Sequence, residues 1–502
     1  MTVEDVAPEG VTALLGKAAA SWPDGVAVRD TDSDEVFTWA QLDAAAATLA
    51  GKLAEAGVTP GDRVALRLPT SADFVIGLYA ALRAGAIVVP ISPQAPAPEL
   101  GKLLDHSGAL VVIQRDSGDE LPEDVVALPP RADEAPAEPV DVVRGGEDIA
   151  VISYTSGTTG PPRGVMLSHR ALLANLAQLR QVQGSLEHTD RVLITIPLFH
   201  VYGLGPGLLQ ATAVGATAVL SERFEAARTL ELCAEHRVTS IAGVPVMYAE
   251  FAALGAEALG RGLATVRRMN SGAAPLHPKV LTAIRQATGL DVYEGYGLTE
   301  CAPVVTSTLV TGYPKPGSVG RPLPGIELRL VDSDGDAQEP PLDPDDPDDV
   351  FDNAGGTGLV SVRGANLFSG YWPDGAAGPD EDGWYRTGDV GYLDSEGDLH
   401  LVDRANDLII VNGFNVFPRE VEEVIGQLPE VAEAAVVGVV DERSGEAVKA
   451  FVVPLDGASL SEQQVVEHCA ERLAGYKVPH AVEFTDALPH SATGKLRRLR
   501  LR

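Results

Sequence analysis

The chain is short of cysteine, short of positive charge and without any long apolar run, and each shortage removes a class of protein. Three cysteines in 502 residues, Cys233, Cys301 and Cys469, stand far apart. They make neither a CxxC pair nor a Cys/His cluster, so a disulfide framework and a zinc site are not suggested, and a reducing cytoplasmic setting is expected. Lys and Arg number 38 against 71 Asp and Glu, a formal net charge of -33. That balance opposes long-range attraction to nucleic acid or anionic membrane, so any polyanion must be held by a local site. The N-terminus Met1-Thr-Val-Glu-Asp-Val is acidic where a signal peptide would be basic. No run of about 18 uncharged apolar residues occurs, so no transmembrane segment is expected.

What is present is enough apolar residue, 45%, for several packed layers and more than one domain. An Ala/Leu-rich helix is expected to start after Thr38 and stop at Gly57. Strand-like and helical runs then alternate: Arg63-Val-Ala-Leu-Arg-Leu, Asp73 to Ala84, Ala86-Ile-Val-Val-Pro, Arg191-Val-Leu-Ile-Thr-Ile, Thr239-Ser-Ile-Ala-Gly-Val, and a helix from Pro278 to Thr288 closed by Gly289. Recurrent alternation of this kind argues for layered α/β sheets. The run Asp343-Pro-Asp-Asp-Pro-Asp-Asp reads as a solvated loop, because its prolines break the carboxylate spacing a calcium loop needs. Beyond Asp403 come Leu408-Ile-Ile-Val, a helix Pro418 to Ile425, strands Glu433 to Val440 and Val448 to Pro454, and a helix Glu462 to Leu473, the pattern of a small α+β domain. The expected fold is α/β: a large N-terminal domain, 1–402, of layered α/β sheets, and a small mobile α+β C-terminal domain, 403–502.

Tyr154-Thr-Ser-Gly-Thr-Thr-Gly-Pro-Pro-Arg-Gly164 follows the apolar run Ile149-Ala150-Val151-Ile152 and precedes a helix start at Ser168-His169-Arg170. Small hydroxylated residues and glycines between a strand and a helix can wrap a polyphosphate, with backbone N–H groups and a helix dipole facing the anion. The loop is not a Walker A motif, which wants Lys then Ser or Thr after its second glycine, and it lacks the dinucleotide fingerprint.

Further segments suit one nucleotide pocket. In Asn270-Ser-Gly-Ala-Ala-Pro-Leu276 small residues let a flat ring approach the backbone. Tyr293-Glu-Gly-Tyr-Gly-Leu-Thr-Glu300 offers an aromatic face, a hydroxyl and a carboxylate for Mg2+. In Gly383-Trp-Tyr-Arg-Thr-Gly-Asp389 the carboxylate of Asp389 suits two ribose hydroxyls. Pro489-His-Ser-Ala-Thr-Gly-Lys495 sets a lysine after a glycine. Singly, the last three have ordinary readings: Tyr296 as a core aromatic, Asp389 as a turn residue, Lys495 as a solvated cation.

In this order the segments resemble the adenylate-forming superfamily of acyl-CoA synthetases, aryl-CoA ligases, nonribosomal adenylation domains and firefly luciferase, and the resemblance covers nearly the whole chain. The run Ile196-Pro-Leu-Phe-His-Val-Tyr-Gly-Leu204 looks most like CoA ligases of fatty acids and hydroxycinnamates. The resemblance implies a two-step ligase that activates a carboxylic acid as acyl-AMP with release of pyrophosphate, then transfers the acyl group to coenzyme A. It implies ATP and Mg2+ as cofactors. Thr155, Ser156, Gly157, Thr158 and Thr159 would hold the β- and γ-phosphates, with Arg163 nearby. Gly272, Ala273, Ala274, Glu294, Gly295 and Tyr296 would frame the adenine side of the ATP site. Thr299 would contact the α-phosphate, Glu300 the metal, and Asp389 and Arg404 the ribose. Lys495 would bridge carboxylate and α-phosphate as charge builds.

The same resemblance places a hinge at Asn406 in Asp403-Arg404-Ala405-Asn406-Asp407, where the family usually carries Asp or Lys, and Arg163 stands where the family usually has Lys. Gly413 and Phe414 would line a pantetheine tunnel, and His200, Tyr202, Gly272, Gly297, Pro303 and Val304 an acyl pocket whose glycines leave room for a ring or chain. His200 either gates the carboxylate path, beside the catalytic set Lys495, Thr299 and Glu300, or packs against Tyr202. Amino-acid-activating relatives carry Asp at the position of His200, so an α-amino acid is disfavoured and an aryl or medium- to long-chain acid favoured. Cys301, next to Glu300, reads as a pocket filler because the acceptor thiol belongs to the partner. The alternatives are transfer to a carrier-protein phosphopantetheine, another small oxyacid, or an amine acceptor; a homodimer is admitted.

Overall fold

A computed structural model describes residues 9–115, 121–131, 140–155, 163–332, 356–404, 409–411, 414–441, 445–455, 457–491 and 496–501. The chain divides into two compact units, Met1–Glu327 with Arg363–Tyr385, and Leu328–Val362 with Arg386–Arg502. The acidic run at 343–349, expected as a solvated loop, lies outside the described residues.

Two sheets build the first unit. One has six strands in the spatial order Val126–Leu128, Val111–Gln114, Arg63–Arg67, Ile87–Pro90, Ile149–Thr155, Arg163–Ser168. All neighbours are parallel except the last pair. The other runs Arg321–Pro322, Val304–Ser307, Val292–Gly297, Arg268–Ser271, Ser240–Gly243, Arg191–Ile194, Thr217–Leu220, Val26–Asp30, Glu35–Thr38. Its central strands are parallel. Parallel strands covered on both faces read as continuous apolar runs rather than alternating ones, and Ile87-Val-Val-Pro90 is buried throughout.

Local chemistry explains the helices. Thr38 caps Trp39–Glu55 by a capping box: its Oγ1 accepts the Gln41 N–H at 3.2 Å, and the Gln41 side chain accepts the Thr38 N–H at 2.9 Å. Trp39, Leu42, Ala46, Leu49 and Leu53 recur at helical spacing and are buried, packed on the helix Ala72–Arg83. Burying each leucine contributes roughly 1.5–3 kcal/mol. Pro278 opens Pro278–Thr288 and Gly289, at φ 74°, closes it.

The second unit holds a four-stranded sheet in the order Ile326–Val331, Gly358–Gly364, Trp384–Leu393, Leu399–Arg404, and a five-stranded C-terminal sheet. In the latter, Gly445–Pro454 pairs with Val431–Asp441, Ile409–Val411 and Ala481–Phe484. The helices Pro418–Ile425 and Glu462–Ala470 bury Val421, Ile425, Val465 and Cys469 in its core. The helix expected to reach Leu473 stops at Ala470, where the N–H groups of Arg472 and Leu473 both donate to the Cys469 carbonyl and tighten the last turn. The architecture is therefore mixed α/β with a large N-terminal and a smaller C-terminal part. Among the described residues no helix is long and apolar enough to cross a membrane.

Candidate active site

The strands Ile149–Thr155 and Arg163–Ser168, which flank the hydroxyl- and glycine-rich loop in sequence, pair as an antiparallel hairpin. Tyr154 pairs with Gly164 and Thr155 with Arg163, so the ends of the 156–162 segment lie side by side. Ser156, Gly157, Thr158 and Thr159 themselves lie outside the described residues. The expected order gains an element: Arg163–Ser168 is an antiparallel strand between the loop and the helix, and the helix starts at His169 with Ser168 as its cap, as expected, the Ser168 hydroxyl accepting the Ala171 N–H at 3.1 Å. The helix N-terminus therefore lies at the far end of that strand from Arg163. Gly164-Val-Met-Leu167 is an apolar run of four, too short for periodicity to tell strand from helix.

Both legs of the hairpin are fixed. The Tyr154 hydroxyl meets His106 Nδ1 at 2.8 Å, and burial pushes its pKa up to about 12, so it stays protonated. The Trp372 N–H donates to the Gly164 carbonyl at 2.7 Å, and the Trp372 indole N–H to the His106 carbonyl at 2.9 Å. A Cβ at Gly164 would stand 2.7 Å from Ile152 Cγ2 and 3.3 Å from Trp372 Cβ, so the close packing demands glycine.

The remaining first-unit candidates follow the C-terminal ends of neighbouring parallel strands, where open α/β sheets bind ligands. Arg191–Ile194 leads to His200 and Tyr202, Arg268–Ser271 to Gly272, Ala273 and Ala274, and Val292–Gly297 to Thr299 and Glu300. Ala273 has φ 70°, a left-handed conformation that costs a residue bearing a Cβ about 1 kcal/mol and clusters at functional sites. Glu294 is buried, and its Oε1 accepts the Leu276 N–H at 2.9 Å, tying the 272–276 turn to the strand of Gly295 and Tyr296. Tyr296 is also buried.

The acyl-pocket candidates correct one expectation. A Cβ at Gly297 would run into the Pro303 carbonyl, and one at Gly272 would stand 3.1 Å from the Tyr202 ring. These glycines serve close packing by Pro303 and Tyr202 rather than leaving open room. Val304 is half-buried, and its N–H donates to Asn175 Oδ1 at 3.1 Å. His200 Nδ1 accepts the Tyr202 N–H at 3.2 Å, which ties the ring to its own turn. Immediately afterwards Gly203–Leu209 forms a π-helix, a widened turn often found at functional sites.

Glu300 sits on a short 3₁₀ turn, Thr299–Cys301, and its Oε1 accepts the Tyr371 hydroxyl at 2.7 Å. Burial and the Glu300 charge raise the Tyr371 pKa to about 12, keeping that hydroxyl a donor. Tyr385 is 3.3 Å from the Tyr371 oxygen, and burial raises its pKa as well. Phe368 stands edge-on to both rings, and the Arg163 guanidinium lies 4.9 Å from the Tyr371 ring centre. The structure thus joins Glu300 to Arg163 through Tyr371, a residue the sequence reading missed. A carboxylate beside Thr299, at the strand ends, fits Mg2+, which takes one or two carboxylates with waters and phosphate oxygens rather than a protein cage. Cys301 is buried, in keeping with a filler.

In the second unit Asp389 is buried on Trp384–Leu393, and its register partner on Leu399–Arg404 is Arg404. The Asp389 N–H donates to Thr387 Oγ1 at 3.1 Å. Phe414 opens the strand Phe414–Val416. Asn406, Gly413 and Lys495 lie outside the described residues.

The chain resembles known proteins along nearly its whole length. The AMP-binding enzyme family matches residues 15–372, and the AMP-binding enzyme C-terminal domain residues 420–495. A feruloyl-CoA synthase of an Amycolatopsis species is 37% identical over 500 residues, covering 97% of this chain and 97% of that protein. A long-chain-fatty-acid–CoA ligase of Mycobacterium tuberculosis is 34% identical over 514 residues, again with 97% of each chain covered. The structure of o-succinylbenzoate coenzyme A synthetase from Bacillus subtilis with ATP and a magnesium ion superposes with a TM-score of 0.85 at 31% identity, covering 97% of this chain and 98% of that one.

Proposed function

The chain belongs to the AMP-binding enzymes, and from that premise we propose that it is an ATP-dependent acid–CoA ligase acting on an aryl or medium- to long-chain carboxylic acid. The observation that carries this reading is the junction at Tyr371, whose ring lies under the Arg163 guanidinium and whose hydroxyl donates to Glu300. Phosphate-binding hydroxyls and a metal carboxylate must be set at fixed separation for in-line displacement, and a tyrosine in contact with both Arg163 and Glu300 supports that reading.

In the first step an oxygen of the substrate carboxylate bonds to the α-phosphorus while the bond from that phosphorus to the bridging oxygen breaks, releasing pyrophosphate. Thr155 and the 156–159 loop hold the β- and γ-phosphates with Arg163, and Thr299 donates to the α-phosphate. Glu300 would hold Mg2+, which would supply positive charge against the phosphates. Gly272, Ala273, Ala274, Gly295 and Tyr296 frame the purine, Glu294 braces that frame, and Asp389 and Arg404 take the ribose. Lys495 bridges carboxylate and α-phosphate. In the second step the coenzyme A sulfur attacks the acyl carbon, its proton passes to solvent, and AMP leaves with the bonding electrons.

The functional domains are proposed as 1–402 and 403–502, turning about Asn406 so that Gly413 and Phe414 line the thiol path once Lys495 withdraws. A cytoplasmic location suits ATP and coenzyme A as substrates. Self-association as a homodimer is also proposed and is checked by light scattering. Acid-dependent pyrophosphate exchange across aryl, fatty and small oxyacids, followed by a coenzyme A chase, tests the function. Exchange with aryl or fatty acids and thioester on the chase is expected. Exchange without thioester transfers the proposal to a carrier-protein phosphopantetheine or an amine acceptor, and exchange with small oxyacids alone refutes the acid class.

A further inference from the structure

Glu300 needs help to act as a metal ligand. Its side chain has three rotatable bonds and stems from a turn of three residues, and freezing such a chain costs up to about 2 kcal/mol. The Tyr371 hydroxyl, 2.7 Å from Oε1, supplies the restraint. A tyrosine restrains without neutralising: an arginine or lysine there would cancel the charge that draws Mg2+, whereas a phenol leaves the carboxylate its full charge.

The Tyr371 ring is itself held on several sides. Phe368 meets it edge-on with ring centres 5.1 Å apart, the Tyr385 oxygen is 3.3 Å from its own, and Arg163 covers the ring. Its backbone bridges Val165 of the hairpin in antiparallel fashion, and the neighbouring Trp372 N–H donates to the Gly164 carbonyl. Ser369 extends the strap by donating its N–H to the Met166 carbonyl at 2.9 Å. The 369–372 strap is thus registered on the stem of the phosphate hairpin, and its tyrosine reaches the carboxylate.

We propose that Tyr371 is a positioning residue for the metal carboxylate, locking Glu300 in its ligating rotamer and setting it at fixed distance from the phosphate hairpin. The inference rests on the reading of Glu300 as the Mg2+ ligand. The test measures Mn2+ binding to the full-length protein with ATP and no acid, by the paramagnetic signal of free Mn2+, in wild type, Tyr371→Phe, Glu300→Gln and the double variant. Losing a hydrogen bond to a charged group should weaken Mn2+ binding in Tyr371→Phe about 10-fold. The KM for MgATP in pyrophosphate exchange should rise in step while the KM for the acid holds. In the Glu300→Gln background the same substitution should change Mn2+ binding less than about 2-fold, because the coupled partner is already gone.

Wild-type Mn2+ affinity in Tyr371→Phe, or an equal loss in both backgrounds, overturns the proposal. Unchanged Mn2+ binding in Glu300→Gln alone overturns the metal assignment beneath it, a separate failure. Should Tyr371→Phe not fold, Tyr385→Phe removes the hydroxyl behind Tyr371 and is expected to loosen Mn2+ in the same direction by about 2-fold; unchanged affinity there counts against the proposal.

Discussion

Single residues carry both the chemistry and some of the pH response. Lys495→Ala should cut acyl-adenylate formation by orders of magnitude while ATP binding, read by calorimetry, stays near wild type; undiminished pyrophosphate release would remove the lysine from the mechanism. His169 is 1% exposed, accepts the Val11 N–H on Nδ1 at 3.0 Å, and burial lowers its pKa from 6.5 to about 4 despite nearby Asp148. Its stabilising contribution is complete above pH 6.5 and shrinks as the unfolded chain takes up a proton, until the native ring titrates near pH 4. The span amounts to roughly 3 kcal/mol. Denaturation midpoints of His169→Gln should fall less steeply with pH across that window than those of wild type; parallel slopes would show the ring to be uninvolved. Glu300, Asp389 and the Ser/Thr loop stand out in the sequence as candidates because each bears its proposed chemistry in its own side chain and motif. Tyr371 was not, since its partners Glu300 and Val165 lie far from it in the chain and only folding joins them. Nor was Gly297, whose need for glycine comes from the Pro303 carbonyl.

Elements with end signals were read well, and those without them were not. Trp39–Glu55 starts at Thr38 and Pro278–Thr288 ends at Gly289, as capping chemistry requires. Thr38→Ala should remove about 1 kcal/mol and lower the melting temperature by a degree or two, measured by calorimetry; no shift would mean the capping box is not maintained in solution. The capped helix start at Ser168 is where the sequence puts it, but the strand Arg163–Ser168 before it is not expected, because its apolar run is short and the helix signal stands beside it. Gly203–Leu209 escaped for the opposite reason, since glycines and Pro206 argue against any helix until Pro303 is seen packed close to Gly205. Between the strands Ile409–Val411 and Phe414–Val416, Gly413→Trp should spare pyrophosphate exchange and abolish thioester formation, monitored separately; equal loss of both half-reactions would refute the proposed tunnel.

For the whole molecule, β/α alternation foretold the layered sheets and the change of pattern after Asp403 foretold a separate C-terminal sheet, because both follow from burial periodicity along the chain. The crossover order of the strands was not legible, for it depends on which apolar faces meet in space. That order places the strand ends at Ile194, Ser271 and Gly297 at the same, C-terminal end of one sheet, and the turns that follow them are proposed to serve one reaction in which an acid oxygen attacks the α-phosphorus of ATP. The most direct measurement follows a carboxylic acid substrate labelled with heavy oxygen through one turnover with ATP and coenzyme A, with mass analysis of the products. One labelled oxygen in AMP and none in pyrophosphate is the predicted result; label in inorganic phosphate, or AMP free of it, would contradict the mechanism.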